Sequence, residues 1–205
     1  MLLSPNEIKE QTRQLWRTCF NDTEDFMDIY FSDKYTDESN LTVRHNGQVV
    51  SAMQLLPYRI TFYGTVQHAG YISGLATLPE FRKKGYASNL LHEAHRRLYK
   101  QGSTLSFLIP ANEEMRKFYE QPEHGAYWTA SYRQRLPLDV SKDGAFDKIE
   151  VVRPDEWPQE FYVFYRRLTS ELPFMVHPSE NDFFAALEAV DLADGYVLVA
   201  RRKRR

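Results

Sequence analysis

From Gly74 to Leu91 the chain reads GLATLPEFRKKGYASNLL. The run from Val66 to Leu78 has the pattern of a long strand. Residues 79–85 then lead into a helix from about Tyr86 to Lys100, with Ala87, Leu90, Leu91, Ala94 and Leu98 on its apolar face. Gly102 stops that helix. The first amides of a helix have no intrahelical partner, and the helix dipole adds partial positive charge to them. Such an end suits phosphate. Gly85 has no side chain to hold a ligand away, Ala87 is small, and Arg82, Lys83 and Lys84 bring positive charge. The amides of Lys83 to Ser88 therefore form a natural cradle for a pyrophosphate. By itself R-x-x-G-x-A also occurs as a solvated basic turn. Its place between a long strand and an amphipathic helix gives it weight.

Upstream, Ser4-Pro5-Asn6-Glu7 has the makings of a helix start, with Ser4 as N-cap, Pro5 at N1 and Glu7 closing a capping box. Ile8, Leu15, Trp16, Cys19 and Phe20 mark one face of that helix, and Phe26, Ile29, Tyr30 and Phe31 belong to a short second one. Strands follow at Leu41 to His45 and Gln48 to Leu56, joined by the hairpin signal Asn46-Gly47. Pro57 is expected to interrupt the return strand, with Tyr58 to Phe62 continuing extended. Downstream, Leu105 to Ile109 reads as a short strand. Asn112 can cap a helix over Glu113 to Tyr119, and Tyr127 to Leu136 alternates as a strand. The polar stretch 137–147 reads as a linker. Beyond it the pattern is a strand (149–152), a helix (156–168), a helix (179–190) and a strand (196–200). The expected organisation is therefore a domain over 1–136, a linker, and a partial second unit over 148–205 that repeats the opening helix–helix–strand order. Such a unit cannot close a sheet alone. It should pack on the first domain or on a partner chain, the latter giving a homo-oligomer.

The composition narrows the function. The 205 residues carry 26 Lys and Arg against 28 Asp and Glu, a formal net charge of -2, which speaks against a nucleic-acid partner. The one cysteine, Cys19, rules out a disulfide within the chain and argues against a Cys-based metal site; its helical spacing from Leu15 and Trp16 makes it a core thiol. No metal is expected. Without a signal-peptide pattern or an apolar run of membrane length, the expectation is a cytoplasmic protein with no membrane partner.

With these residues in place, the chain resembles the GCN5-related N-acetyltransferase (GNAT) superfamily. Arg82-Lys83-Lys84-Gly85-Tyr86-Ala87 is similar to its Q/R-x-x-G-x-G/A pyrophosphate signature, and Asn112 with Phe118-Tyr119-Glu120 resembles its N-x(6)-[LF]-Y-E segment. Leu15-Trp16 with Cys19-Phe20, Leu56-Pro57-Tyr58, and Ala76 to Arg82 resemble the bacterial branch that includes the Eis-type aminoglycoside acetyltransferases. The resemblance covers residues 8–136 well and the last third only in outline. It implies an α/β (α+β) fold, with a mixed, mostly antiparallel central sheet flanked by helices. It also implies acetyl-CoA as co-substrate and the amine of a small molecule or peptide as acceptor. One departure stands out. Gln121-Pro122-Glu123-His124 separates the Tyr-Glu pair from Gly125-Ala126, so the acceptor side is reshaped.

The resemblance assigns Leu75, Ala76 and Thr77 to the pantetheine arm and thioester carbonyl, and residues 82–88 to the pyrophosphate. Asn112 is either a helix cap or a contact to the CoA arm. Tyr119 is the general acid that protonates departing thiolate, or else a packed aromatic. No general base declares itself: His68 and Glu80 are candidates that are equally at home as structural residues. Tyr30, Phe31, Tyr35 and Tyr71 could line an acceptor pocket or fill the core, and Asp33, Asp37 and Glu38 could draw a cationic amine or form a solvated loop. Two other functions share such a helix end. One is a non-catalytic acyl-CoA sensor. The other is a nucleotide-binding module, which wants G-x-x-x-x-G-K-[ST] or G-x-G-x-x-G, and neither string is present.

Overall fold

A computed structural model describes residues 3–103, 105–124, 148–152, 159–195 and 197–201. Helix α1 (Pro5–Cys19) begins as its sequence dictates: the Ser4 hydroxyl accepts from the Glu7 amide, and the Glu7 carboxylate accepts from the Ser4 amide. Thr23 caps α2 (Glu24–Asp33) by accepting from the Phe26 amide. Asn46 and Gly47, at φ 49° and 80°, turn β1 (Asn40–His45) back into β2 (Gln48–Phe62). β2 runs antiparallel to β3 (Thr65–Thr77) over nearly its whole length.

Pro57 does not break β2. It lies opposite Gly70 in a continuous ladder with β3. On its other edge β2 pairs with β1 up to Gln54 and with a later strand only from Arg59. Pro57 falls in the open interval between them, where a missing N–H removes no ladder bond.

After a single 3₁₀ turn (Pro79–Phe81), helix α3 (Tyr86–Lys100) crosses back over the sheet, and β4 (Leu105–Phe107) returns parallel to β3. Helix α4 (Glu113–Tyr119) follows. The two sheet faces are covered by different helices. Met53, Leu55 and Ile72 of the sheet meet Leu90, Leu91, Ala94 and Leu98 of α3 and Tyr119 of α4. Val50 and Ala52, out of phase with Met53 and Leu55 on β2, and Ala76, beyond the register shift of β3, meet Leu15 of α1. A third cluster, Trp16, Met27, Phe31 and Tyr35, joins α1 to α2. Helices on both faces of a mostly antiparallel sheet make this a mixed α/β fold.

The last third holds β5 (Lys148–Val152), α5 (Glu160–Thr169), β6 (Phe174–His177), α6 (Glu180–Leu192) and β7 (Val197–Arg201). The expected helix–helix–strand order does not hold, because β6 intervenes between the two helices. β6 joins the main sheet, pairing antiparallel with β2 from Arg59 to Phe62. β5 and β7 form a separate two-stranded sheet. Lys34 of α2 and Asp182 of α6 form a half-buried ion pair between the first domain and the last third. The strand expected at 127–136, the linker 137–147 and the expected helix start at 156 lie outside the described residues. Among the described residues no helix is long and apolar enough to cross a membrane.

Candidate functional site

The sheet opens at one point. β3 and β4 pair only at Ala69, Gly70 and Tyr71, opposite Leu105, Ser106 and Phe107. Beyond Tyr71, β3 continues to Thr77 with β2 on one edge and, among the described residues, no strand on the other. A bulge adds to the opening. The register with β2 shifts so that Gly74 and Leu75 fall out of the ladder. Such a shift frees backbone groups from pairing. Gly74 is at φ 60°, and a Cβ there would lie 2.1 Å from the Trp16 ring. The bulge thus needs glycine for both backbone and space.

Of the expected pantetheine contacts, Leu75 lies in this bulge. The Ala76 carbonyl accepts from the Ser51 hydroxyl at 2.8 Å, and the Thr77 carbonyl accepts from Arg82 Nε at 3.1 Å. Cys19 is half-buried, and its thiol also points at the Thr77 carbonyl, at 3.5 Å.

The basic turn has the conformation that the sequence asks for. Lys83 and Gly85 both take positive φ, at 60° and 77°, and Gly85 is the N-cap of α3 with no side-chain cap. A Cβ at Gly85 would meet nothing within 4 Å, so open space lies over the helix end. The amides of Tyr86, Ala87 and Ser88 precede the first intrahelical bond, which runs from the Asn89 amide to the Gly85 carbonyl. Arg82, Lys83 and Lys84 are exposed, and among the described residues none has a carboxylate partner; Lys84 lies over the Phe81 ring.

Tyr119 ends α4 with 9% of its surface exposed, packed among Leu41, Ile72 and Leu90. Its hydroxyl has no hydrogen-bond partner among the described residues. Burial pushes its pKa up to about 12, helped by the nearby phenol of Tyr71. Tyr71 stacks on Phe107 at the last paired position before β3 and β4 part. Ile72, the next residue of β3, packs against Tyr119. A buried polar atom wants a hydrogen-bond partner. Asn112 acts as a cap: its side chain accepts from the Met115 amide at 2.9 Å.

One residue of the site had no signal in the sequence beyond its place in the departing loop. His124, 5% exposed, bonds through Nδ1 to the Phe118 carbonyl at 2.6 Å and through Nε2 to the Ser88 hydroxyl at 2.8 Å. A carbonyl only accepts, so Nδ1 carries a proton and donates it to Phe118. This histidine ties the first turn of α3 to the helix that carries Tyr119.

The other candidates disperse. Phe31 and Tyr35 are core, and Tyr30 is partly buried, with its hydroxyl bonded to Ser73. Asp37 accepts from the Tyr35 hydroxyl, Glu38 offers its carbonyl to Arg97, and Glu80 is exposed in the 3₁₀ turn. His68 is exposed on β3, in register with Arg59. Nothing brings Glu80 or His68 to Tyr119. Among the described residues no group of three or more His, Cys, Asp or Glu side chains gathers as metal ligands would.

The acetyltransferase (GNAT) domain family matches residues 3–123, more than half of the chain. The chain belongs to this family. The GNAT fold extends beyond the matched segment: a GCN5-related N-acetyltransferase from Anabaena variabilis superposes on 98% of this chain and 50% of its own, at 17% identity and a TM-score of 0.69. Smaller overlaps occur with a probable N-acyltransferase from Enterococcus faecalis (23% identity, 56% of this chain and 29% of that one, TM-score 0.48). A ribosomal-protein-alanine N-acetyltransferase from Brucella melitensis overlaps similarly (21%, 66% and 98%, 0.49). At these identities the likeness concerns the fold alone. The chain spans half or less of the length of the Anabaena and Enterococcus proteins. No curated protein matches it.

Proposed function

We propose that this GNAT domain transfers an acetyl group from acetyl-CoA directly to a primary amine of a small molecule or peptide. The observation that carries this reading is the buried Tyr119, whose hydroxyl has no hydrogen-bond partner among the described residues and which packs against Ile72, the first residue of β3 beyond its pairing with β4. Acetyl-CoA supplies the electrophilic thioester carbonyl. The exposed amides of Tyr86 to Ser88, with Arg82, Lys83 and Lys84 around them, hold its pyrophosphate. The bulge at Leu75, with Ala76 and Thr77 beyond it, runs alongside the pantetheine arm, and a free amide there stabilises negative charge on the carbonyl oxygen. As the amine nitrogen bonds to the carbonyl carbon, its surplus proton passes to water; as the carbon–sulfur bond breaks, Tyr119 gives its proton to the sulfur and regains one from solvent. A phenol held well above its ordinary pKa is fully protonated at neutral pH and ready for this role. Asn112 contributes by capping the helix that presents Tyr119. The finer likeness to the Eis-type branch rests on Leu15-Trp16, Leu56-Pro57-Tyr58 and the 76–82 segment.

The test is acetyl-CoA turnover on a panel of amines, beside direct measurement of CoA binding. Gly85→Glu should abolish binding, because it puts negative charge over the helix end and strains a residue at φ 77°. Unchanged CoA affinity in Gly85→Glu would remove the pyrophosphate site from the reading. Thermal stabilisation by ATP or NAD but not by acetyl-CoA would reject it altogether.

A further inference from the structure

A cavity of about 700 Å³ opens where the last third of the chain meets the first domain. Its lining includes Tyr58 and Arg59 from β2, where the pairing with β6 begins, Lys34 from the end of α2, and Tyr162, Tyr165 and Arg166 from α5. Arg59 is the ladder partner of His68 on β3 and of His177 on β6. Directly opposed residues project from the same face of a sheet, so these three basic side chains stand abreast. Arg166 of α5 completes the group. Burial lowers the His177 pKa, the positive charges of Arg59 and Arg166 lower it further, and all four residues line the cavity.

A guanidinium commonly pairs with a carboxylate. Here there is none: among the described residues neither guanidinium has an acidic partner. The two carboxylates in the lining are otherwise engaged. Asp182 is held by Lys34, and Asp33 accepts from the Ser32 hydroxyl. His177 is fixed by a 2.6 Å bond between its Nε2 and the Thr61 hydroxyl. Two guanidiniums lining one cavity with phenols beside them, Arg166 lying over the Tyr162 ring at 5.8 Å, are suited to a planar or tetrahedral oxyanion, which they grip with paired N–H donors.

We propose that this cavity binds the anionic end of the acceptor, so that the substrate is an amine bearing a carboxylate or phosphate held by Arg59 and Arg166. The word acceptor rests on the acetyl-transfer reading; the anion site does not. Tyr58 connects the two places. It lines the cavity, its ring meets those of Tyr71 and Phe107 edge-on at 5.8 and 5.7 Å, and Tyr71 neighbours Tyr119.

The anion site is tested first, on the whole chain without acetyl-CoA, by titrating inorganic phosphate and, separately, acetate while following the histidine ring resonances. A saturable shift of the His177 ring is expected with the preferred anion, weakened about tenfold or more in Arg59→Gln and in Arg166→Gln. It should be unaffected by Gly85→Ala at the competing helix end. A His177 ring that responds to neither anion, or that responds in both arginine variants as strongly as in the wild type, overturns the proposal. Kinetics then compare amines of equal length with and without a carboxylate or phosphate. The arginine variants should raise KM about tenfold for the anionic amine and leave the uncharged one unchanged; equal effects on both overturn the acceptor assignment. A persisting phosphate or acetate shift with no turnover of any amine would reject acetyl transfer and keep the anion site. Turnover without any shift would do the reverse.

Discussion

Tyr119 is asked to be two things at once. As a packed residue it carries an unsatisfied hydroxyl in an apolar cluster, which costs stability. As a general acid it needs that hydroxyl. Tyr119→Phe should therefore lower kcat by about 100-fold while raising folding stability by up to about 1 kcal/mol. Amine turnover and urea unfolding on the same preparation read both. Because burial moves the phenol up to about 12, the acid should stay protonated at pH about 10, where a free phenol is half ionised. The wild-type rate should thus show no alkaline loss there from this group. A variant that kept its rate would leave Tyr119 a packing residue only. His124 makes the contrasting case. Removing its ring leaves the Ser88 hydroxyl without this partner and the Phe118 carbonyl with only the longer bond from the Gln121 amide, 3.4 Å. His124→Ala should cost about 2–3 kcal/mol in chemical denaturation and loosen the first turn of α3.

Two glycines of positive φ separate backbone strain from steric overlap at the scale of the elements. At Gly85 an added Cβ has open space, so Gly85→Ala should cost only the left-handed backbone, about 1 kcal/mol. At Gly74 the same change drives a methyl into the Trp16 ring and should cost at least twice as much, with the bulge disturbed. Denaturation midpoints of the two variants check this, and equal losses would contradict the packing of Trp16 against the bulge. These elements also mark how far the sequence could be read. The capping box at Ser4, the Asn46-Gly47 turn and the apolar stripe of α3 are local signals, and each appears in the structure where its residues place it. β6 has no such signal. It is four residues long, without a two-face alternation, and its only punctuation is the pair Pro173 and Pro178. What makes it a strand is the vacant edge of β2, which no reading of residues 174–177 alone reveals. The same holds for the site. The basic turn was legible because its chemistry is contiguous. The Ser88–His124 bond joins residues 36 apart in sequence, and the unpaired state of Tyr119 is a property of its surroundings.

At the level of the whole molecule, the last third completes the sheet of the first domain. Removing residues 148–205 would strip β6 from Arg59 to Phe62 and take away the Asp182 partner of Lys34. An uncovered strand edge invites association with other chains. The shortened protein should therefore be less stable and prone to self-association, as light scattering behind a sizing column would report. A monomer of undiminished stability would show that β6 adds nothing to the domain. The shared edge of β2 also bears on the order of events during folding. The β1 half is closed by a two-residue turn and can zip up within microseconds of its synthesis. The β6 half must wait for a segment whose His177 lies 116 residues beyond Thr61. The entropy of closing so long a loop delays that pairing. Until it forms, a nascent chain emerging from the ribosome carries half of one strand as an open template, and that interval is when it most needs a chaperone.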